Sequence, residues 1–250
     1  MIPPFRYSLN RKALAALALV AGAGLLDGCR HDLVVPVPTV DYYPLVVGTY
    51  RAYAVADTVW SKGVATPSTY QVREAVTEQF ADAAGQTAYR VVRARRANSA
   101  AAWADDSVLV VQPLAQAILL TRNNLRTVEL IYPLQASKTW KKYAFTTTRE
   151  DSLRGFDAAV AQPFTTPGAA PKTYDATATV RDVLPVSLND RLYRQSGYLQ
   201  VFGQGVGPVL RRRYSYQTFI SQNSGVQVLT PGVIQVGYSR LEVLLDSGKL

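Results

Sequence analysis

The chain has 250 residues, with 27 Lys and Arg against 18 Asp and Glu (formal net charge +9), 48% hydrophobic residues and 10% aromatics. A single cysteine, Cys29, and a single histidine, His31, exclude an internal disulfide and a cysteine or histidine metal cluster. They also exclude most nucleophilic triads, which need a histidine on a rigid scaffold. Fifteen tyrosines and abundant Val and Thr lean toward strands.

The first element is an export signal. Arg6, Arg11 and Lys12 precede the uncharged run ALAALALVAGAGLL, Ala13 to Leu26. That run is shorter than the roughly 20 apolar residues of a membrane-spanning helix, and it ends in small residues as a signal peptide does. LDGC then resembles the lipobox of bacterial lipoprotein signal peptides, carried by Leu26, Gly28 and Cys29; Asp27 departs from the pattern at a position usually small or uncharged. The resemblance implies cleavage before Cys29 and a diacylglycerol anchor on its sulfur. Residues 30–40, with Pro36 and Pro38, read as an extended tether of roughly 30 Å. Arg30 stands where an inner-membrane retention signal has Asp, which favours the outer membrane, with the domain in the periplasm. The expected organisation is a signal peptide (1–28), a lipidated tether (29–40) and a single β-rich domain (41–250).

Period-two alternation marks the strands that follow. TYRAYAVADTVW (Thr49 to Trp60) puts Arg51, Tyr53, Val55 and Val59 on one face. SKGVATPS reads as a turn-rich break. TYQVREAVTEQF aligns Tyr70, Val72, Glu74 and Val76, turns around Gly85, and returns as TAYRVVRARR, so 69–96 is a predicted hairpin. DSVLVVQ and QAILLTR are short strands broken at Pro113, and Asn123–Asn124 leads into LRTVELIY. KTWKKYAFTT is a further strand. QPFTTPGAAPKT reads as a loop, YDATATVRDV as a strand, and SLNDRLYRQ as a helical turn or two. Two strands flank GQGVG, and VIQVGYSRLEVLL is the last. The predicted fold class is all-β: an antiparallel, hairpin-connected curved sheet, half-barrel or barrel-like, with a sandwich as the alternative. YPLVVGTYRAY (Tyr43 to Tyr53) echoes YPLQASKTWKKY (Tyr132 to Tyr143), which leaves open two similar halves or a recurrent turn-to-strand device.

These stretches, with FGQGVGPVLRRRYSY near the end, resemble a family of uncharacterised Bacteroidetes-type lipoproteins. That family shows a Tyr/Phe-Pro-Leu…Gly…Trp…Tyr opening and a Gly-Val-Gly-Leu-Val hairpin. Tyr50, in place of Trp, and Pro208 depart from it. The resemblance implies a lipidated, β-rich envelope protein and supplies no catalytic residues.

Little chemistry survives inspection. GQGVG (Gly203 to Gly207) lacks the Lys-Ser/Thr and the helix of a phosphate loop, so hairpin geometry accounts for its glycines. Asp105–Asp106 and Glu150–Asp151 are candidates for a glycosidase pair, but adjacent acids in loops more often form turns. No spacing supports a calcium loop. Basic clusters occur at Arg90–Arg96, Trp140–Lys142 and Arg211–Arg213. Alternation puts Arg211 and Arg213 on one face and Arg212 on the other. Arg93, Arg95, Arg211 and Arg213 are the candidates for contact with an anionic surface, although solvated strand faces carrying edge-protecting charge are the preferred explanation of such clusters.

The expected protein is therefore a non-enzymatic, outer-membrane-anchored binding or structural module, needing no cofactor or metal. Its expected partners are the membrane through Cys29, and an envelope protein, a glycan, or an apolar or amphipathic ligand held in a curved sheet. Nucleic acid is not among them. The alternatives are a carboxylate-based glycan or cell-wall hydrolase and a binder of anionic envelope polymers.

Overall fold

The computed structural model describes residues 42–146, 152–157, 159–183, 189–190, 192–223 and 226–250. Cys29, its lipobox neighbours Leu26, Asp27 and Gly28, His31 and the tether lie outside the described residues, as do Glu150 and Asp151. No helix among the described residues is long and apolar enough to cross a membrane.

The fold is all-β. The strands are β1 (Thr49–Ser61), β2 (Val64–Ala81), β3 (Thr87–Arg96), β4 (Ala104–Leu114), β5 (Ala117–Arg122), β6 (Leu125–Ile131), β7 (Thr139–Lys141), β8 (Leu153–Phe156), β9 (Gln162–Thr165), β10 (Thr173–Val183), β11 (Arg194–Gly203), β12 (Gly207–Asn223) and β13 (Val226–Lys249). They form one antiparallel sheet in the order β6-β5-β4-β3-β2-β1-β13-β12-β11-β10-β8-β7, with β9 beside β10. Two meanders thus meet where the last strand pairs with the first: Tyr53 lies opposite Leu244, and Val55 opposite Glu242.

The sheet curls until its edges nearly meet. Bulges in several ladders, at Ala52/Tyr53, Val76/Glu78, Arg93/Ala94 and Val201/Phe202, bend the strands. The free edge of β6 is then stitched to the opposite edge around Val128. Its N–H donates to the Lys142 carbonyl (2.9 Å), and its own carbonyl accepts Trp140 Nε1 and Arg154 Nη1, both at 3.1 Å. The result is a nearly closed barrel, which leaves little exposed sheet edge.

The inward faces carry a gradient. At one end Val76, Val91, Leu109, Val111, Ile118, Val180 and Phe202 pack into the main apolar core, on which Tyr43 is seated from the segment before β1. Its ring centroid is 6.1 Å from that of Phe202, and burial raises its hydroxyl pKa to about 12. Two residues further along each strand the inward side chains become polar: Val76 gives way to Glu74 on β2, Val91 to Arg93 on β3, and Phe202 to Gln200 on β11.

Several local expectations are corrected. The SKGVATPS break shrinks to a two-residue turn at Lys62 and Gly63, both with positive φ, and Pro67 lies inside β2. It is tolerated because β3 pairs with β2 only from Gln71 onward, so the missing N–H has no ladder partner to lose. Pro113 likewise sits inside β4, near its end. KTWKKYAFTT yields only the three residues of β7, and the first part of QPFTTPGAAPKT is not loop but β9. In the SLNDRLYRQ stretch the described residues form no helix. Asp190 Oδ1 instead accepts the N–H groups of Leu192, Tyr193 and Arg194, each at 2.8 Å. Each half of the Tyr-Pro-Leu echo leads into a strand, but β1 lies mid-sheet and β7 at an edge. The matching aromatics also diverge: Trp140 packs in the core, while Tyr50 donates to Asp246 (2.6 Å) at the surface.

One glycine invites a direct test. Gly237 lies opposite Trp60 on β1 and Tyr216 on β12, and those two rings meet edge to face at 5.2 Å. A Cβ at 237 would collide with the Ser215 carbonyl oxygen and press on Tyr216. Gly237→Ala is expected to cost about 1–3 kcal/mol, as overpacking does; an unchanged melting temperature would contradict this packing.

Candidate functional site: an ion-pair lattice beneath a cationic cavity

Where the apolar core ends, a layer of charge crosses the barrel. Strand register builds it: Glu74 on β2 lies directly opposite Arg93 on β3, and Arg211 on β12 directly opposite Glu242 on β13. All four side chains point inward and are buried. Arg93 bridges the two acids, donating to Glu74 Oε1 (3.0 Å) and Glu242 Oε1 (2.8 Å). Arg211 grips Glu74 through both terminal nitrogens (2.7 and 2.8 Å) and also reaches Glu242 Oε2 (3.0 Å). Arg213 adds a 3.3 Å contact to Glu242.

The electrostatics follow from this geometry. Burial alone would raise the Glu74 carboxyl, but Arg211 and Arg93 overcome it and hold the pKa down at about 2. Glu242 is likewise held well below the usual carboxylate range, burial being outweighed by Arg211, Arg93 and Arg213. A second group sits at the barrel seam. Arg154 pairs with Glu129 (3.0 Å) and Asp182 (3.4 Å) and stacks on Tyr198 with its guanidinium carbon 4.3 Å from the ring centroid. Thr127 Oγ1 also donates to Glu129 (2.7 Å). Glu129 too is lowered, Arg154 outweighing burial.

A cavity of about 550 Å³ adjoins this layer. It is lined by Glu74, Arg93, Arg154 and Arg211 together with Arg122, Lys142, Arg213 and several tyrosines. Among the described residues no cluster of His, Cys, Asp or Glu has the arrangement of a metal site.

The predicted surface arginines are therefore redistributed. Arg93 and Arg211 are not surface contacts: they are 3% and 7% exposed, neutralised by two buried glutamates inside the barrel. Arg213 is partly buried beside them. Arg95 alone of the four is well exposed, stacked 3.8 Å over the Tyr70 ring near the Arg240–Asp57 pair. Arg211 and Arg213 share the inward face while Arg212 is exposed, as strand alternation requires. The cavity is lined by charged and polar side chains together with tyrosines and leucines. Asp105 and Asp106 are exposed residues at the start of β4, away from the lattice. Sequence alone does not single out Glu74, Glu129, Glu242, Arg122 or Arg154. The available signal was a lone acid on an otherwise apolar alternating face, Tyr70–Val72–Glu74–Val76, and Glu242 one step from Leu244.

No protein-family model matches the chain, and no curated protein matches it in sequence. One similar solved structure is that of a candidate lipoprotein from Parabacteroides distasonis. It is 12% identical, covers 82% of this chain and 98% of its own, and superposes with a TM-score of 0.35, a likeness too weak to assign anything to this protein.

Proposed function

We propose that this is a non-enzymatic binding module of the bacterial cell envelope, fastened to the outer membrane through Cys29, with its ligand site in the barrel cavity. The observation that carries the non-enzymatic reading is the state of the buried acids. Glu74, Glu242 and Glu129 around the cavity are all clamped by arginines as carboxylates. A glycoside hydrolase of the two-carboxylate type needs one acid whose pKa is raised so that it can donate a proton near neutrality. Here the arginines push the other way. The polar lining of the cavity favours a charged or polar ligand over a purely apolar one.

The anchoring follows from the order of charged segment, short apolar run, lipobox and Pro-containing tether. Fatty-acid labelling in a bacterial host is expected to mark the wild-type chain and not Cys29→Ser, which should also leave the membrane fraction. Equal labelling of both would sink the anchor. Incubation with peptidoglycan fragments and envelope glycans is expected to release no product; any release would favour the hydrolase alternative.

A further inference from the structure

The cavity carries more positive than negative charge, and the surplus is local. Its cations are Arg93, Arg122, Lys142, Arg154, Arg211 and Arg213. Against them stand Glu74, Glu129 and Asp182 in the lining, with Glu242 directly behind. Each of these acids is already engaged: Glu74 and Glu242 by Arg93 and Arg211, Glu129 and Asp182 by Arg154.

Two guanidinium groups are left over. Among the described residues Arg122 has no carboxylate partner; it reaches only Ser107 Oγ, at 3.4 Å. Arg213 touches Glu242 Oε1 at 3.3 Å, an oxygen Arg93 already holds at 2.8 Å, and among the described residues its buried Nε has no acceptor. Burial, then the charges of Arg93 and Arg213, lower the proton affinity of Arg122, so these guanidiniums lie within one another's repulsive field. Partly buried like charges without compensation are costly. An oxyanion between them relieves that cost, and the planar fork of Arg matches carboxylate and phosphate oxygens. A metal cation would meet the same field as repulsion.

We propose that the cavity binds an oxyanion-bearing ligand of sugar size, its carboxylate or phosphate gripped by Arg122 and Arg213 and its body resting on the tyrosine-lined wall. The size follows from the volume of about 550 Å³, within the range of small-molecule sites. The body is argued from Tyr143, Tyr198, Tyr214 and Tyr238, which line the same cavity and offer flat surfaces that combine an apolar face with a polar tip. The inference rests on the reading of the protein as a binding module.

Calorimetric titration of the full chain, purified in detergent, at low salt tests it, with D-glucuronate, glucose 6-phosphate and glucose as probes. At least one acid is expected to bind at least tenfold more tightly than glucose and to weaken as salt rises. Preference between the two acids tells carboxylate from phosphate. Arg122→Gln and Arg213→Gln are each expected to weaken the preferred acid at least tenfold, and Arg122→Lys less than Arg122→Gln, with circular dichroism reporting that each variant is folded. Glucose binding as tightly as the acids, no binding of either acid, or undiminished binding in both folded Gln variants would overturn the site. NMR of the same mixtures separates the two readings. Turnover of a bound probe would refute the non-enzymatic reading and leave the anion site standing, whereas loss of the anion site without turnover leaves the non-enzymatic reading intact.

Discussion

Glu242→Gln is expected to destabilise the barrel by about 3–5 kcal/mol, the usual cost of removing one partner from a buried ion pair. Glu242 is fully buried and receives hydrogen bonds from Arg93, Arg211 and Arg213. The amide keeps the shape and loses the charge, leaving Arg93 and Arg211 to share Glu74, and Arg213 with no carboxylate among the described residues. Domain stabilities are only about 5–15 kcal/mol, so the variant should unfold at a much lower urea midpoint with a similar slope. Arg90→Gln is the control. Its pair with Glu78 is as short (2.6 Å), but both side chains are about half exposed, and surface pairs contribute about 0–1 kcal/mol. If the two variants lost the same stability, the lattice would not be the buried, mutually dependent unit its geometry describes. Replacing the whole lattice by apolar side chains is a different experiment, since no orphaned charge remains, and it can leave stability unchanged.

Acid should dismantle the same layer. Glu74 and Glu242 have folded-state pKa values below their unfolded ones, so their contribution is complete above the ordinary glutamate pKa and disappears as pH falls toward the folded values. For Glu74 the window runs from about 4.5 down to about 2. Its shift alone corresponds to a contribution on the order of 3 kcal/mol. Unfolding free energy measured from pH 6 to pH 2 should therefore be flat at first and then fall steeply below about pH 4.5. In Glu242→Gln the slope should be shallower, because one of the lowered carboxylates is gone. A stability that rose on acidification through this window would mean that the glutamates are not held as carboxylates in the folded state.

Much of the fold was legible because strand alternation is local. The inward positions of β1 and β2, the hairpin at 69–96 and the turn between β11 and β12 all follow from neighbours along the chain. Pro67 and Pro113 read as breaks in the sequence yet lie inside β2 and β4, since whether a missing N–H matters depends on whether another strand lies beside it. The candidate site was less legible. Arg211 and Arg213 were correctly placed on one face, but whether that face met water or another wall of charge was not a local property.

The sequence by itself determined the strand-rich class, the two-residue period of each inward face, the lone acid among apolar neighbours on β2, and the absence of cysteine or histidine chemistry in residues 32–250. Only the tertiary structure decided that β13 pairs with β1, that the sheet closes at Val128, and that Glu74, Arg93, Arg211 and Glu242 share one layer. The physical reason is range. Side-chain alternation comes from the geometry of one strand. The charges that meet in the barrel, by contrast, are up to 168 positions apart, from Glu74 to Glu242. They are brought together by register and curvature, where a slip of one residue would turn each of them outward.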